Sequence, residues 1–155
     1  MSASSRLAEF GLTLPEVAVP VGTYVPALQH GDLIFTSGQL PFVDGELLAA
    51  GVVGQRGGDV TPERANECGR IAVLNALAAA ASVAGGVDKI TRIVKLTGFV
   101  ASAPGFTAQP AVINGASGIL ADVFGEAGRH ARSAVGVAAL PLGAPVEIEL
   151  IVSVA

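Results

Sequence analysis

The C-terminal stretch of the chain alternates between two kinds of side chain. Residues 146, 148, 150, 152 and 154 are aliphatic, and three of the four residues between them are polar, namely Glu147, Glu149 and Ser153. This period of two predicts a β-strand that buries one face and carries Glu147 on the other. Such a strand requires a sheet whose apolar face is covered by other apolar elements.

Arg132 lies on the preceding predicted strand, and Glu147 follows it fifteen residues later. The same alternation groups Arg132 with Ala134, Gly136 and Ala138, which are small enough to leave room for a ligand. A guanidinium binds a carboxylate bidentately, and a nearby glutamate can move protons on the captured molecule. The alternative is an antiparallel strand pair with an ordinary Arg132–Glu147 salt bridge, and the spacing alone favours this structural alternative.

Two helices are predicted between the strands. Thr61-Pro62-Glu63 is a strong helix start, because it offers a capping hydroxyl, a proline suited to the first turn and an acidic residue for the positive end of the dipole. Gly85-Gly86 predicts the end of that helix. Apolar residues at spacings of three and four give it one buried face. The second helix is predicted over residues 110–124.

The remaining strands complete a prediction of the fold class. They are expected at residues 21–28, 32–39, 46–53 and 90–101. Residues 1–20 are expected to be an irregular or short helical lead-in with no buried role, which leaves residues 21–155 as one domain. The order of elements predicts an α+β fold in which two helices cover one face of a mixed sheet.

Charged residues are too scarce to cover the surface of a monomer comfortably. They make up 14% of the 155 residues, and hydrophobic residues make up 51%, whereas an average soluble domain has about 25% charged residues. This composition predicts a homo-oligomer. The net charge is −4, and nine Lys and Arg residues are spread singly, so a nucleic-acid partner is not expected.

Metal sites, disulfides and membrane spans are not predicted. Cys68 is the only cysteine, and His30 and His130 are far apart, so no metal-ligand spacing exists. The uncharged residues 96–121 are interrupted by prolines and polar side chains, and the apolar residues 71–87 end in a glycine pair, so neither stretch predicts a membrane helix. The N-terminus has no basic region followed by an apolar core, which favours a cytoplasmic protein.

Three ordered motifs stand out along the chain. They are Thr36-Ser37-Gly38-Gln39-Leu40-Pro41, then Ile93-Val94-Lys95 with Phe99-Val100, and finally Ala131-Arg132-Ser133 with Val137, Leu140-Pro141 and Val146-Glu147-Ile148-Glu149. Together they resemble the RidA/YjgF family over roughly residues 20–155. The resemblance implies a chorismate mutase-like α+β fold and a homotrimer with three ligand clefts between subunits.

The resemblance also implies a cofactor-free enzyme that hydrolyses reactive enamines and 2-imino acids to 2-keto acids and ammonia. By position, Arg132 matches the residue that binds the substrate carboxylate, and Glu147 matches the acid proposed to orient water or move protons. The positions that line the cleft in the family correspond to Tyr24, Ser37, Gly38, Asn114 and Ala134.

Two departures from the family pattern bear on the cleft. Many members that deaminate have cysteine at the position of Ala134, whose main chain could still bond a ligand. The chain is also several residues longer between Phe106 and Arg132, so the family asparagine matches Asn114 or falls at Ser117. These features resemble a longer subgroup of the family and leave the substrate preference open.

Three other functions remain open. A small-carboxylate binding protein without turnover would retain Arg132. An endoribonuclease or translation inhibitor, a label that the family often carries, is disfavoured by the low pI of about 5.0 and the absence of a basic patch. A chorismate mutase-like isomerase would want several cations for a dicarboxylate, and only Arg132 is well placed.

Overall fold

The computed structural model describes residues 1–54 and 56–155 and has an α+β fold. The helices are α1 (Ala3–Glu9), α2 (Pro62–Ala84) and α3 (Gln109–Phe124). The strands are β1 (Ala27–His30), β2 (Leu33–Thr36), β3 (Phe42–Val43), β4 (Glu46–Leu47), β5 (Ile90–Ala101), β6 (Ala131–Val137) and β7 (Val146–Val154). The fold class predicted from the sequence is confirmed.

Five strands form a mixed sheet in the order β1-β2-β7-β5-β6. β6 is parallel to β5, and the other neighbouring strands are antiparallel. The parallel pair arises because α3 carries the chain back across the sheet before β6 begins. The antiparallel pairing of the two C-terminal strands, considered from the sequence, is wrong because β5 lies between β6 and β7 and bonds to both.

α2 and α3 cover one face of this sheet. α2 packs on β1, β2 and β7, α3 packs on β5 and β6, and the two helices also pack on each other. The aliphatic row of β7 is buried beneath them, from Val146 at one end to Val154 at the other. The prediction of two helices on one face of a mixed sheet is therefore confirmed.

The opposite face has no helix over it within residues 1–54 and 56–155. Apolar side chains are exposed there: Leu28 by 51%, Phe35 by 38% and Val135 by 44%. We call this surface the open face, and its members by strand register include Leu28, Phe35, Lys95, Thr97, Phe99, Ser133, Val135, Glu147, Glu149 and Ile151.

α2 begins and ends where the sequence predicts. Thr61 Oγ1 accepts a hydrogen bond of 3.1 Å from the Arg64 amide, and Gly85 ends the helix in the left-handed conformation, with φ of 84°.

The middle of α2 is buried. Burial raises the pKa of the Cys68 thiol on this helix to about 11, which makes the thiol unreactive. α2 is long and apolar enough to cross a membrane, but 67% of its most apolar window is buried inside the structure, as in the core helix of a folded domain.

The N-terminal third departs from the prediction in three places. The first strand is β1, because residues 21–26 bend and Pro26 has no amide to donate to a strand partner. The strand predicted over residues 46–53 shortens to β4, which pairs with β3 in a separate two-stranded sheet. The lead-in forms α1, which packs on α3 and buries Leu7 in the core.

α2 and α3 approach each other closely where Gly115 faces Asn66. A Cβ atom at Gly115 would lie 2.5 Å from the main-chain oxygen of Asn66 and 2.7 Å from its side-chain oxygen. Asn66 also donates a hydrogen bond of 3.0 Å to Ala111 O, which ties the two helices together. Gly118, one turn further along α3, would meet nothing within 4 Å.

We expect Gly115→Ala to lower the free energy of unfolding by about 1–3 kcal/mol, because the added methyl forces the two helix backbones apart. Gly118→Ala is the matched control and should raise it by about 0.5–1 kcal/mol through helix propensity alone. Urea unfolding of both variants measures the difference. Equal changes of the same sign would show that the helices do not touch at Gly115.

Candidate functional site

Arg132 lies on the edge strand β6 and faces the side of the sheet that the helices cover. Its register neighbours are Leu96 on β5 and, one strand further, Leu150 on β7. Both leucines are buried under the helices, and side chains in register share a face of the sheet. Arg132 is therefore beneath α3 at the edge of the sheet, where its side chain stays partly exposed.

The Arg132 guanidinium is held by two residues of α3. Its Nη1 donates to Asn114 Oδ1 at 2.8 Å and to Ser117 Oγ at 3.3 Å. Asn114 and Ser117 are three residues apart and so lie on one side of the helix. The two positions considered for the family asparagine thus contact the same nitrogen, and the edge formed by Nε and Nη2 has no partner among the described residues.

His130 stands behind this pair. Its Nε2 lies 2.9 Å from Ser117 Oγ, and its Nδ1 lies 2.6 Å from the carbonyl oxygen of Gly128. We call Arg132, Asn114, Ser117 and His130 the arginine cluster. In the sequence, His130 is a candidate only for metal binding. It lies two residues before Arg132, however, and residues at that spacing in an extended chain lie on the same side, so this spacing could have placed the two side chains together.

The small residues beside Arg132 leave less space than the sequence suggested. Ala134 is in register with Gly98 on β5, and Ile113 of α3 fills the space over that glycine. A Cβ atom at Gly136 would lie 2.7 Å from Gln109 Nε2. Part of the room predicted for a ligand is therefore occupied by α3, and the accessible part lies at the outer edge of Arg132.

Glu147 lies on β7 and belongs to the open face. It is half-buried, and burial raises the pKa of its carboxyl, with a smaller contribution in the same direction from the charge of Glu149. A carboxyl group with a raised pKa exchanges protons closer to neutral pH than an exposed one does. Its environment therefore suits a proton carrier better than a permanent charge.

Gly38 lies directly against Glu147. A Cβ atom there would be 2.7 Å from the Glu147 carboxyl carbon, so a side chain at this position would displace the carboxylate. The contact is held by the adjacent residues, because Gln39 and Ile148 exchange main-chain hydrogen bonds of 2.8 and 3.0 Å.

Ser37 precedes Gly38 and is tied to the segment that follows Tyr24. Ser37 donates its hydroxyl to Val25 O at 2.6 Å and its amide to Pro26 O at 2.8 Å. These bonds fix the chain just after Tyr24, whose side chain is 55% exposed and forms no hydrogen bond with this glutamate among the described residues. We call Ser37, Gly38 and Glu147 the glutamate cluster.

The two clusters do not meet within one chain. Arg132 and Glu147 are two strands apart and offset by three residues in register, which separates their Cα atoms by roughly 14 Å. They also lie on opposite faces of the sheet. Among the described residues no Arg132–Glu147 ion pair forms, so the alternative of a cross-strand salt bridge is wrong.

Neither cluster coincides with a metal-ligand group or with a described cavity. Within the described parts of the chain, no three His, Cys, Asp or Glu side chains are grouped to hold a metal ion. Cavities of about 680 and 240 Å³ lie elsewhere, and no residue of either cluster lines them. The expectation of a cofactor-free site stays a prediction.

Comparison with known proteins identifies relatives over nearly the whole chain. Protein TCP17 of Trypanosoma cruzi is 40% identical over 150 residues, which are 96% of this chain and 92% of that protein. The crystal structure of Atu1372 from Agrobacterium tumefaciens, a protein of unknown function, superposes with a TM-score of 0.88 at 45% identity, covering 99% of this chain and 92% of the other.

A third structure, E. coli TdcF with bound serine, has a TM-score of 0.64 at 28% identity and covers 92% of this chain and 94% of its own. The family model described as "YjgF/chorismate mutase-like, putative endoribonuclease" matches residues 4–153. These residues include all of α1 except Ala3, and both clusters. The resemblance inferred from the three motifs is confirmed, and the chain belongs to the YjgF/chorismate mutase-like family.

Proposed function

We propose that this protein hydrolyses 2-imino acids to 2-keto acids and ammonia at a site assembled from two copies of the chain. The arginine cluster of one copy binds the substrate carboxylate, and the glutamate cluster of the next supplies the proton chemistry. The observation that carries the proposal is the held guanidinium of Arg132, which presents one N–H edge outward. The separation of the two clusters within one chain supports assembly from two copies.

Carboxylate capture follows from the chemistry of Arg132. Its Nη1 has two hydrogens, and the bonds to Asn114 and Ser117 account for both. The hydrogens on Nε and Nη2 point along one edge in the fork geometry that matches the two oxygens of a carboxylate. A substrate bound at this edge places its 2-carbon, which carries the imine, next to the anchored group.

Glu147 then moves protons between water and the imine. The carboxylate takes a proton from a water molecule as the water oxygen adds to the imine carbon, and it passes this proton to the imine nitrogen, which gives a neutral carbinolamine and restores the carboxylate. Glu147 next takes the hydroxyl proton of the carbinolamine and passes it to the nitrogen, so that the carbon–nitrogen bond breaks, ammonia leaves and the carbon–oxygen double bond forms. The imine carbon is already electrophilic, so positioning and proton transfer suffice without a cofactor.

Self-association is supported by the open face. Three apolar side chains of that surface, Leu28, Phe35 and Val135, are substantially exposed in a single chain. The low charged fraction of 14% points the same way, because covering the open face with other copies removes apolar area from water. We propose a homotrimer, in which three equivalent contacts would create three clefts.

A structural relative is consistent with this substrate class. TdcF was crystallised with serine, an amino acid that has the carboxylate and the nitrogen-bearing 2-carbon of a 2-imino acid. The endoribonuclease activity named in the family description has less support, because a net charge of −4 with nine scattered Lys and Arg residues provides little attraction for a phosphate backbone.

We expect Arg132→Ala to lower kcat/KM for imino acids by at least about 100-fold, because two charged hydrogen bonds to the substrate are lost. Arg132→Lys should recover little, since an ammonium cannot form the fork. Arg129→Ala is the control, because Arg129 is exposed and pairs only with Glu126. Ammonia and keto-acid release from imino acids generated by an amino-acid oxidase measures the rates. Full activity of Arg132→Ala would refute the assignment.

Glu147→Gln should lower kcat by about 10²–10⁴-fold while the protein still binds 2-oxobutanoate, because the amide cannot carry a proton. In the wild type, activity should fall as pH drops through the raised pKa of Glu147, since the protonated form cannot accept a proton from water. Glu149→Gln is the matched comparison: it removes the smaller of the two causes of the raised pKa, after burial, so the acid limb of the pH–rate profile should move modestly to lower pH. An unchanged limb would contradict the assignment, and a fully active Glu147→Gln would favour another base.

Mixing two inactive variants tests whether the site spans two copies. Arg132→Ala and Glu147→Gln chains, unfolded together in equal amounts and refolded, should recover about a quarter of the wild-type clefts, because a random neighbour pair has that chance of supplying both residues. Each variant refolded alone is the control. No recovery in mixtures that do exchange chains would place both residues in one chain.

A further inference from the structure

His130 is the one member of the arginine cluster with no role so far. It is half-buried between α3 and β6 and is not part of the hydrophobic core. Both of its ring nitrogens are within hydrogen-bond distance of a partner, Nδ1 of Gly128 O and Nε2 of Ser117 Oγ. Ser117 in turn contacts Arg132. The histidine is therefore two hydrogen bonds away from the guanidinium.

The direction of these bonds follows from Gly128. A carbonyl oxygen only accepts, so the hydrogen of the neutral ring is on Nδ1 and Nε2 has a free lone pair. Ser117 then donates its single hydroxyl hydrogen to Nε2 and turns its lone pairs toward Arg132. Each bond in the series Arg132 to Ser117 to His130 to Gly128 points the same way.

We propose that His130 is a positioning residue for Arg132, which orients the carboxylate-binding edge through Ser117. With the Ser117 hydroxyl hydrogen engaged by His130, the serine oxygen is available only as an acceptor for Nη1. Nη1 therefore keeps both of its bonds to α3, and the Nε–Nη2 edge stays turned outward. The inference rests on the proposed function for the use of that edge, but the orientation itself concerns the protein alone.

Loss of His130 would free the serine hydroxyl to rotate. Its lone pairs would then no longer be fixed toward Arg132 Nη1, which would keep only the hydrogen bond to Asn114 Oδ1 as a fixed contact. The guanidinium would lose a fixed partner and gain rotational freedom about its long side chain. A ligand would then have to order Arg132 on binding, which weakens affinity.

The test uses four variants. His130→Phe removes both ring bonds at similar size, and Ser117→Ala breaks the link directly. His130→Gln keeps a side-chain oxygen that can accept from Ser117. His30→Phe is the matched control, because His30 is the only other histidine and is exposed on β1.

We expect His130→Phe and Ser117→Ala each to weaken 2-oxobutanoate binding about five- to tenfold, and to raise KM for imino acids by a similar factor with kcat nearly unchanged. The double variant, which combines His130→Phe with Ser117→Ala, should bind 2-oxobutanoate no more weakly than either single variant, because both changes break the same series of hydrogen bonds. His130→Gln should recover much of the loss, and His30→Phe should behave as wild type. Additive losses in the double variant, or a loss in kcat alone, would overturn the proposal.

Two NMR measurements without ligand separate this proposal from the proposed function. The nitrogen shifts of His130 should show a protonated Nδ1 and an unprotonated Nε2, and the heteronuclear NOE of the Arg132 Nε–H should fall in His130→Phe. If wild type neither turns over imino acids nor binds 2-oxobutanoate, the proposed function fails while these signals still report on His130. An Arg132 side chain equally rigid in wild type and His130→Phe would overturn the positioning role.

Discussion

The position of β5 between β6 and β7 is the constraint on which the rest of the structure depends. Because β5 bonds to both neighbours, it keeps Arg132 and Glu147 apart and on opposite faces. Had the two strands paired directly, the ions could have neutralised each other, and the arginine would have lowered the pKa of the glutamate. Separation leaves a cation free to bind an anion and a carboxyl with a raised pKa, which is the combination that the proposed hydrolysis uses.

Features with a local cause were predictable from the sequence. The start of α2 depends on Thr61 and its end on Gly85, and the alternation of β7 encodes its buried face without reference to other strands. The order of the strands was not predictable in this way. β6 and β7 are close in sequence, and nearness favours direct pairing, whereas the actual pairing depends on how α3 crosses the sheet.

The candidate site shows the same division. Single residues such as Arg132 and Gly38 could be identified from motifs, because each motif is continuous along the chain. The partners of Arg132 could not, since Asn114 and Ser117 come from another element and reach it only through the packing of α3 on β6. Room for a ligand was overestimated beside Ala134 for the same reason: small residues on a strand also make room for a helix.

The close contact between Gly38 and Glu147 limits how this protein can diversify. No side chain fits at residue 38 without moving the carboxylate, so a substitution there would disturb the proposed proton carrier together with the shape of the site. The segment ending at Tyr24 is different, because it is exposed and the residues just after it are held by the hydroxyl and the amide of Ser37. Divergent relatives should therefore keep the glycine and vary this segment when they adapt to new side chains.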